Sequence, residues 1–152
     1  MCVAEGNSPN SLGKMGGKSV GRASCVPGFG CFCIFSTKLF TFEAAHQLPK
    51  HSGKCARLHG HSYRLEVTVV GDIIKEEGSS EGMVVDFADL SKIVEKEIIE
   101  QWDHQFLNDL LAFRTTAELL AVEAFRRLKD AGLSVSKITL WETAKAFVVV
   151  EE

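Results

Sequence analysis

The chain has no apolar run of membrane-spanning length, no stripe of basic residues and no glycine-rich phosphate loop. The first absence argues against a transmembrane segment. The second, with a formal net charge of -3, argues against nucleic acid as the main partner. Cysteine is nearly missing from most of the sequence: Cys2, Cys25, Cys31 and Cys33 lie near the start and only Cys55 follows. That is no disulfide framework, and it fits a reducing compartment, the cytoplasm. Acid is missing from the first 35 positions apart from Glu5, and the stretch is rich in Gly and Ser without helical or strand periodicity. Residues 1–35 are therefore expected to be a disordered extension ahead of one domain over 36–152. The extension lacks the apolar region of a secretory signal. Its only cations, Lys14, Lys18 and Arg22, make a weak organellar presequence, and a later start at Met15 is as good an explanation. Cys31-Phe32-Cys33 has no second cysteine pair to complete a metal site and stays unassigned.

What is present is concentrated chemistry. Cys55-Ala56-Arg57-Leu58-His59-Gly60-His61 packs a thiol and two imidazoles into seven positions, and His46 ends the strand-like run before it. Alternation puts Phe40, Phe42, Ala44 and His46 on one strand face. The same period puts His59 and His61 on the face of Tyr63, Leu65 and Val67, with Gly60 permitting an unusual backbone between them. Three imidazoles leave one position of a four-coordinate zinc open, which marks a catalytic site, whereas four protein ligands would close it. Cys55 is then free to act as base or nucleophile beside the metal. His51, among Lys50, Ser52, Gly53 and Lys54, reads as a solvated loop histidine.

From Lys38 the pattern predicts strand, strand, helix, helix, strand, strand. The first helix is predicted from an Asp86 N-cap, with Asp89 in its first turn and Phe87, Leu90, Val94 and Ile98 buried. The second is predicted to open with a capping box, Thr115-Thr116-Ala117-Glu118, to bury Leu120, Ala124, Phe125 and Leu128, and to stop at Gly132. Strands over 136–143 and 146–152 complete an α+β architecture, a four-stranded antiparallel sheet with both helices on one face. Val67, Val69 and Val149 are expected to make the other face apolar enough for subunits to associate. Glu142 shares a face with Ile138 and Leu140, so it either lies at the solvent rim or binds something. Between the helices, Trp102 to Thr115 is long for such a connection. There Asp103 either orients His104, or ends the helix while His104 merely interacts with its dipole.

In order along the chain, Phe42-Glu43-Ala44-Ala45-His46, Leu58-His59-Gly60-His61-Ser62, Val85-Asp86-Phe87-Ala88-Asp89-Leu90, Leu107-Asn108-Asp109 and Trp141-Glu142-Thr143 resemble the 6-pyruvoyltetrahydropterin synthase family. The three residues between Cys55 and His59 resemble its 6-carboxytetrahydropterin-forming branch, where pyruvoyl-forming relatives typically place five. The resemblance implies the tunnelling fold, with zinc on His46, His59 and His61. It further implies Cys55, Asp103 and His104 as the proton-transfer set and Glu142 as the pterin anchor, with Thr116 and Glu118 near the pterin pocket. Implied too are 7,8-dihydroneopterin triphosphate as substrate and 6-carboxytetrahydropterin, acetaldehyde and triphosphate as products, in the pathway to queuosine. The family's assembly is a hexamer of two trimers with sites at subunit interfaces. A pyruvoyl-forming enzyme and a non-catalytic zinc-binding subunit are the alternatives.

Overall fold

The computed structural model describes residues 24–26, 30–74 and 77–152. A short hairpin pairs β1 (Ser24–Val26) with β2 (Gly30–Phe32), ahead of two long antiparallel strands, β3 (Ile34–His46) and β4 (His59–Gly71). Next come helix α1 (Phe87–Val94), one π-helical turn over Glu95–Ile99 and a last α-turn, α2 (Glu100–Trp102). The two-residue strand β5 (Gln105–Phe106), helices α3 (Leu107–Leu110) and α4 (Ala117–Asp130), and strands β6 (Val135–Thr143) and β7 (Ala146–Glu151) complete the chain. The main sheet has the order β5-β3-β4-β6-β7. It therefore holds five strands where four were expected, because β5 adds parallel to the outer edge of β3. The expectation of disorder over residues 1–23 and 27–29 lies outside the described residues. Strand pairing does begin earlier than the sequence pattern indicated, at Ser24. Cys31 and Cys33 are disulfide-bonded, against the expectation of a reduced chain, while Cys55 is free.

Period-two alternation builds the core. Phe40 and Phe42 of β3, Tyr63, Leu65 and Val67 of β4 and Ile138 and Leu140 of β6 all turn toward the helices and are buried. Val67 and Val69 thus belong to the core rather than to the far face. That face instead exposes Phe35, Leu39, Phe147 and Val149, with Arg64 stacked over Trp141 and the Trp141 indole N–H donating to Glu66.

Asp86 caps α1 as expected, its carboxylate accepting from the Ala88 N–H at 2.7 Å. Leu90, Val94, Ile98 and Trp102 follow at steps of four and are all fully buried, whereas Phe87, expected inside, is 47% exposed. Each step of four in an α-helix overshoots a full turn by about 40°. The wider π-helical turn takes up that drift and keeps the stripe on the sheet. Helix α4 starts one residue later than expected: Thr116 is the N-cap without a side-chain cap bond, and Thr115 is buried and engaged elsewhere. Its end is as read, with Gly132 at φ 91° and the Leu133 N–H reaching back to the Leu128 carbonyl.

Leu128 is fully buried where α4 packs on β6 and β7. Leu128→Ala should cost about 2–5 kcal/mol of stability, measured as a lower urea midpoint with unchanged slope. A midpoint that does not move would mean that this layer is not closed.

Candidate functional site

The pairing of β3 with β4 sets His46 directly opposite His59, and His61 opposite Ala44. All three imidazoles lie on the helix-facing side at one end of the sheet, and one ring nitrogen from each falls within 4.8 Å of the others. Two rings are fixed by main-chain carbonyls: His46 Nδ1 is 2.6 Å from the Thr115 oxygen and His59 Nδ1 is 2.7 Å from the Arg57 oxygen. A ring nitrogen that close to a carbonyl carries the hydrogen, so each Nε2 is left with a lone pair. Those two Nε2 atoms face each other across 3.1 Å. Two lone pairs at that distance repel unless a cation lies against both. The separation is close to the roughly 3.3 Å between donors on a tetrahedral ion with bonds of about 2.0–2.1 Å. The third donor, His61 Nε2, is buried without a hydrogen-bond partner, an orphan that a metal would satisfy. Burial holds His61 below the ordinary imidazole range, His46 and His59 push the same way, and Glu142 opposes them. The net shift favours the neutral ring, the form a metal ligand needs.

Glu142 reaches this cluster from β6, its Oε1 lying 3.7 Å from His46 Nε2 and 3.9 Å from His61 Nε2. The carboxylate is half-buried and faces the trio. Below it, Tyr63 is buried, stacks on Phe42 at 4.9 Å and meets the His61 ring edge-on at 5.5 Å. Burial and the Glu142 charge raise its phenol far above the ordinary range, so it stays protonated.

The acid and imidazole after α2 form a second unit. Asp103 Oδ1 accepts from the Glu43 N–H at 2.8 Å, and Oδ2 accepts from His104 Nδ1 at 2.7 Å. The Glu43 bond first and the His104 bond second hold the Asp103 carboxyl below the ordinary range. His104 adopts φ 56°, and its N–H donates to the Glu43 carbonyl. Its ring is 77% exposed. Both readings left open have a counterpart here: Asp103 is the C-cap of α2, and its carboxylate also bonds the His104 ring. The dyad opens on a cleft of about 430 Å³ lined by Glu43, Gly60, His61, Ser62, His104 and Gln105.

A single chain thus brings together His46, His59, His61 and Glu142. Cys55 lies half-buried on the 3₁₀ turn Lys54–Ala56 and is not part of the ligand group. Thr116 caps α4 and Glu118 is exposed. His51 is exposed as expected, its Nδ1 accepting from the Gly53 N–H. Sequence reasoning missed Thr115, whose carbonyl holds His46; reading it as a helix cap hid that role. It also missed Asn108, whose side chain grips the peptide beside His46.

Residues 36–152 match the family model for 6-pyruvoyl tetrahydropterin synthase. The chain is 41% identical over 138 residues to the 6-carboxy-5,6,7,8-tetrahydropterin synthase of Haemophilus influenzae, covering 76% of this chain and 97% of that protein. It is 47% identical over 97 residues to the protein of the same name from Synechocystis, covering 63% and 75%. Among solved structures, the 6-pyruvoyl tetrahydropterin synthase of Caenorhabditis elegans superposes with a TM-score of 0.67 at 26% identity, covering 79% of this chain and 96% of that one.

His59→Ala should lose metal by more than the roughly 10–100-fold that changes outside the ligand set typically cost. Metal analysis of the purified variant checks this, and full occupancy would remove His59 from the set.

Proposed function

Because the chain belongs to the 6-pyruvoyl tetrahydropterin synthase family, we propose that it converts 7,8-dihydroneopterin triphosphate and water to 6-carboxy-5,6,7,8-tetrahydropterin, acetaldehyde and triphosphate, a carbon–carbon lyase step toward queuosine. The observation that carries this reading is the histidine trio facing Glu142, in a chain 41% identical to a relative named for that product. The three-residue interval between Cys55 and His59 supports the carboxy-forming branch. We assign the catalytic unit to residues 36–152, whose one cysteine, Cys55, is free, and place it in the cytoplasm. No helix among the described residues is long and apolar enough to cross a membrane.

The metal is proposed to be zinc, held by His46, His59 and His61, since three imidazoles suit it and leave a position open. When bound it would supply a Lewis acid for the hydroxyls of the substrate side chain. The remaining steps belong to the protein. The Cys55 thiol, free and half-buried, takes the role of general base. Asp103 fixes the His104 tautomer through Nδ1 and leaves Nε2 to exchange a proton with the substrate. Glu142 accepts from the ring N–H and amino group of the pterin, a two-point contact that fixes the bicycle. Thr116, at the start of α4, is the loosest member of the set and would touch the pterin only through its hydroxyl. The chain has no glycine-rich phosphate loop, so the triphosphate is assigned to scattered basic groups.

In one chain the dyad opens on a cleft whose lining includes neither Cys55 nor Glu142. Association of copies would complete the site, and the exposed Phe35, Leu39, Phe147 and Val149 of the far face supply apolar area for it. We propose a hexamer of two trimers.

Product analysis from dihydroneopterin triphosphate, with and without chelator, tests the reading. Acetaldehyde should form together with triphosphate and both should vanish with chelator; triphosphate release without acetaldehyde would assign the pyruvoyl-forming reaction instead. Cys55→Ala should lower kcat by about 10²–10⁴ with metal retained, whereas a chain inactive to begin with would be a non-catalytic subunit. Glu142→Gln should mainly raise KM, by about tenfold for roughly 1.4 kcal/mol of lost charge-assisted bonding; unchanged kinetics would remove it from the site.

A further inference from the structure

Residues 103–108 run beside β3 as a zipper. Asp103 and His104 bond to Glu43, Gln105 and Phe106 pair with Ala44 and Ala45, and Asn108 closes the run on Gln47. The last contact is a double one. Asn108 Oδ1 accepts from the Gln47 N–H at 2.9 Å, and Nδ2 donates to the Gln47 carbonyl at 2.9 Å. The same Oδ1 accepts from the Thr115 hydroxyl at 3.3 Å. Thr115 is fully buried, and its carbonyl is the one that holds His46 Nδ1. One amide therefore grips the peptide that follows the His46 ligand and the residue that orients its ring.

From this we infer that Asn108 is a positioning residue for the metal: it fixes where His46 Nε2 points by holding the ligand's main chain and its carbonyl partner in one frame. The inference rests on the histidine trio as a metal site and not on the reaction assigned to it. Three features make the side chain hard to replace. The grip needs one acceptor and one donor side by side, which Asn offers and Asp, with two acceptors, does not. The acceptor oxygen has two lone pairs, and both are used. Leu107 and Leu111, before and after Asn108 in the chain, are both buried and anchor this segment in the core. Outer partners of metal-bound histidines set ligand direction and basicity, and their removal costs about 10–100-fold in metal affinity.

The test measures zinc dissociation constants by chelator competition on purified, refolded apo-protein. Asn108→Ala should weaken zinc binding by about 10–100-fold and alter the visible spectrum of the cobalt-loaded protein, which reports ligand geometry. Asn108→Asp, which keeps the acceptor and loses the donor, should fall between the variant and the parent. Leu128→Ala, destabilised far from the trio, should bind zinc as tightly as the parent, so general loss of stability cannot mimic the effect. If Asn108→Ala does not fold, Thr115→Val removes only the hydroxyl bond and should weaken zinc by a few-fold. Parental zinc affinity in Asn108→Ala, or in Thr115→Val where that variant stands in for it, overturns the inference. A parent protein that binds no zinc would instead reject the metal site itself.

Discussion

The site depends on two imidazole N–H groups donated to main-chain carbonyls. His46 is spoken for by Thr115 and His59 by Arg57. In the neutral rings, with both hydrogens committed there, the remaining nitrogens can only accept, and the strand register aims them at each other. An arrangement of facing lone pairs is a cost to the isolated chain that a cation removes. The sheet pairing that forms the core also creates an electrostatic need that a cation bound at the trio would fill, which would couple its binding to folding.

The two strands that carry the trio are the longest in the sheet, and their length serves the site. Thirteen residues of β3 pair with thirteen of β4 without interruption, so a buried apolar ladder from Phe40 to Tyr63 continues directly into histidines. Register slips are costly where one face is buried, since a one-residue shift would turn every core side chain outward. The same constraint that protects the core thus fixes His46 against His59. Gly60 fits the tight point between the two ligands on β4, where a Cβ would come within 3.3 Å of the Ala44 carbonyl.

Much of this was legible from local pattern. Alternation alone placed the trio on one face and Glu142 beside Ile138 and Leu140, because strand period is insensitive to distant context. The Asp86 cap and the Gly132 stop were legible for the same reason. What was not legible came from contacts between distant segments. Nothing local says that Gln105 and Phe106 add a strand to β3, that Thr115 turns inward instead of capping α4, or that Asn108 reaches Gln47. Phe87 fits a helical stripe by spacing yet stays outside, since it precedes the turns that actually meet the sheet. The failure to see Val67 and Val69 as core was an error of face assignment, as their alternation with Leu65 already implied it.

The π-helical turn over Glu95–Ile99 has a consequence at some distance. Each residue of an ordinary helix rotates the chain by about 100°, so the number of residues between Leu90 and Trp102 determines the heading at which the backbone leaves the helical rod. The wide turn brings Trp102 into the interior and releases the next residue toward the edge of β3, where Asp103 and His104 dock. Shortening that turn by one residue would keep a respectable helix and a plausible hydrophobic stripe for most of its length. The exit vector would nevertheless swing by about a quarter of a revolution, and the dyad would miss its berth. A helical irregularity that resembles a defect is thus the timing element that delivers Asp103 and His104 to a strand they share no local sequence with.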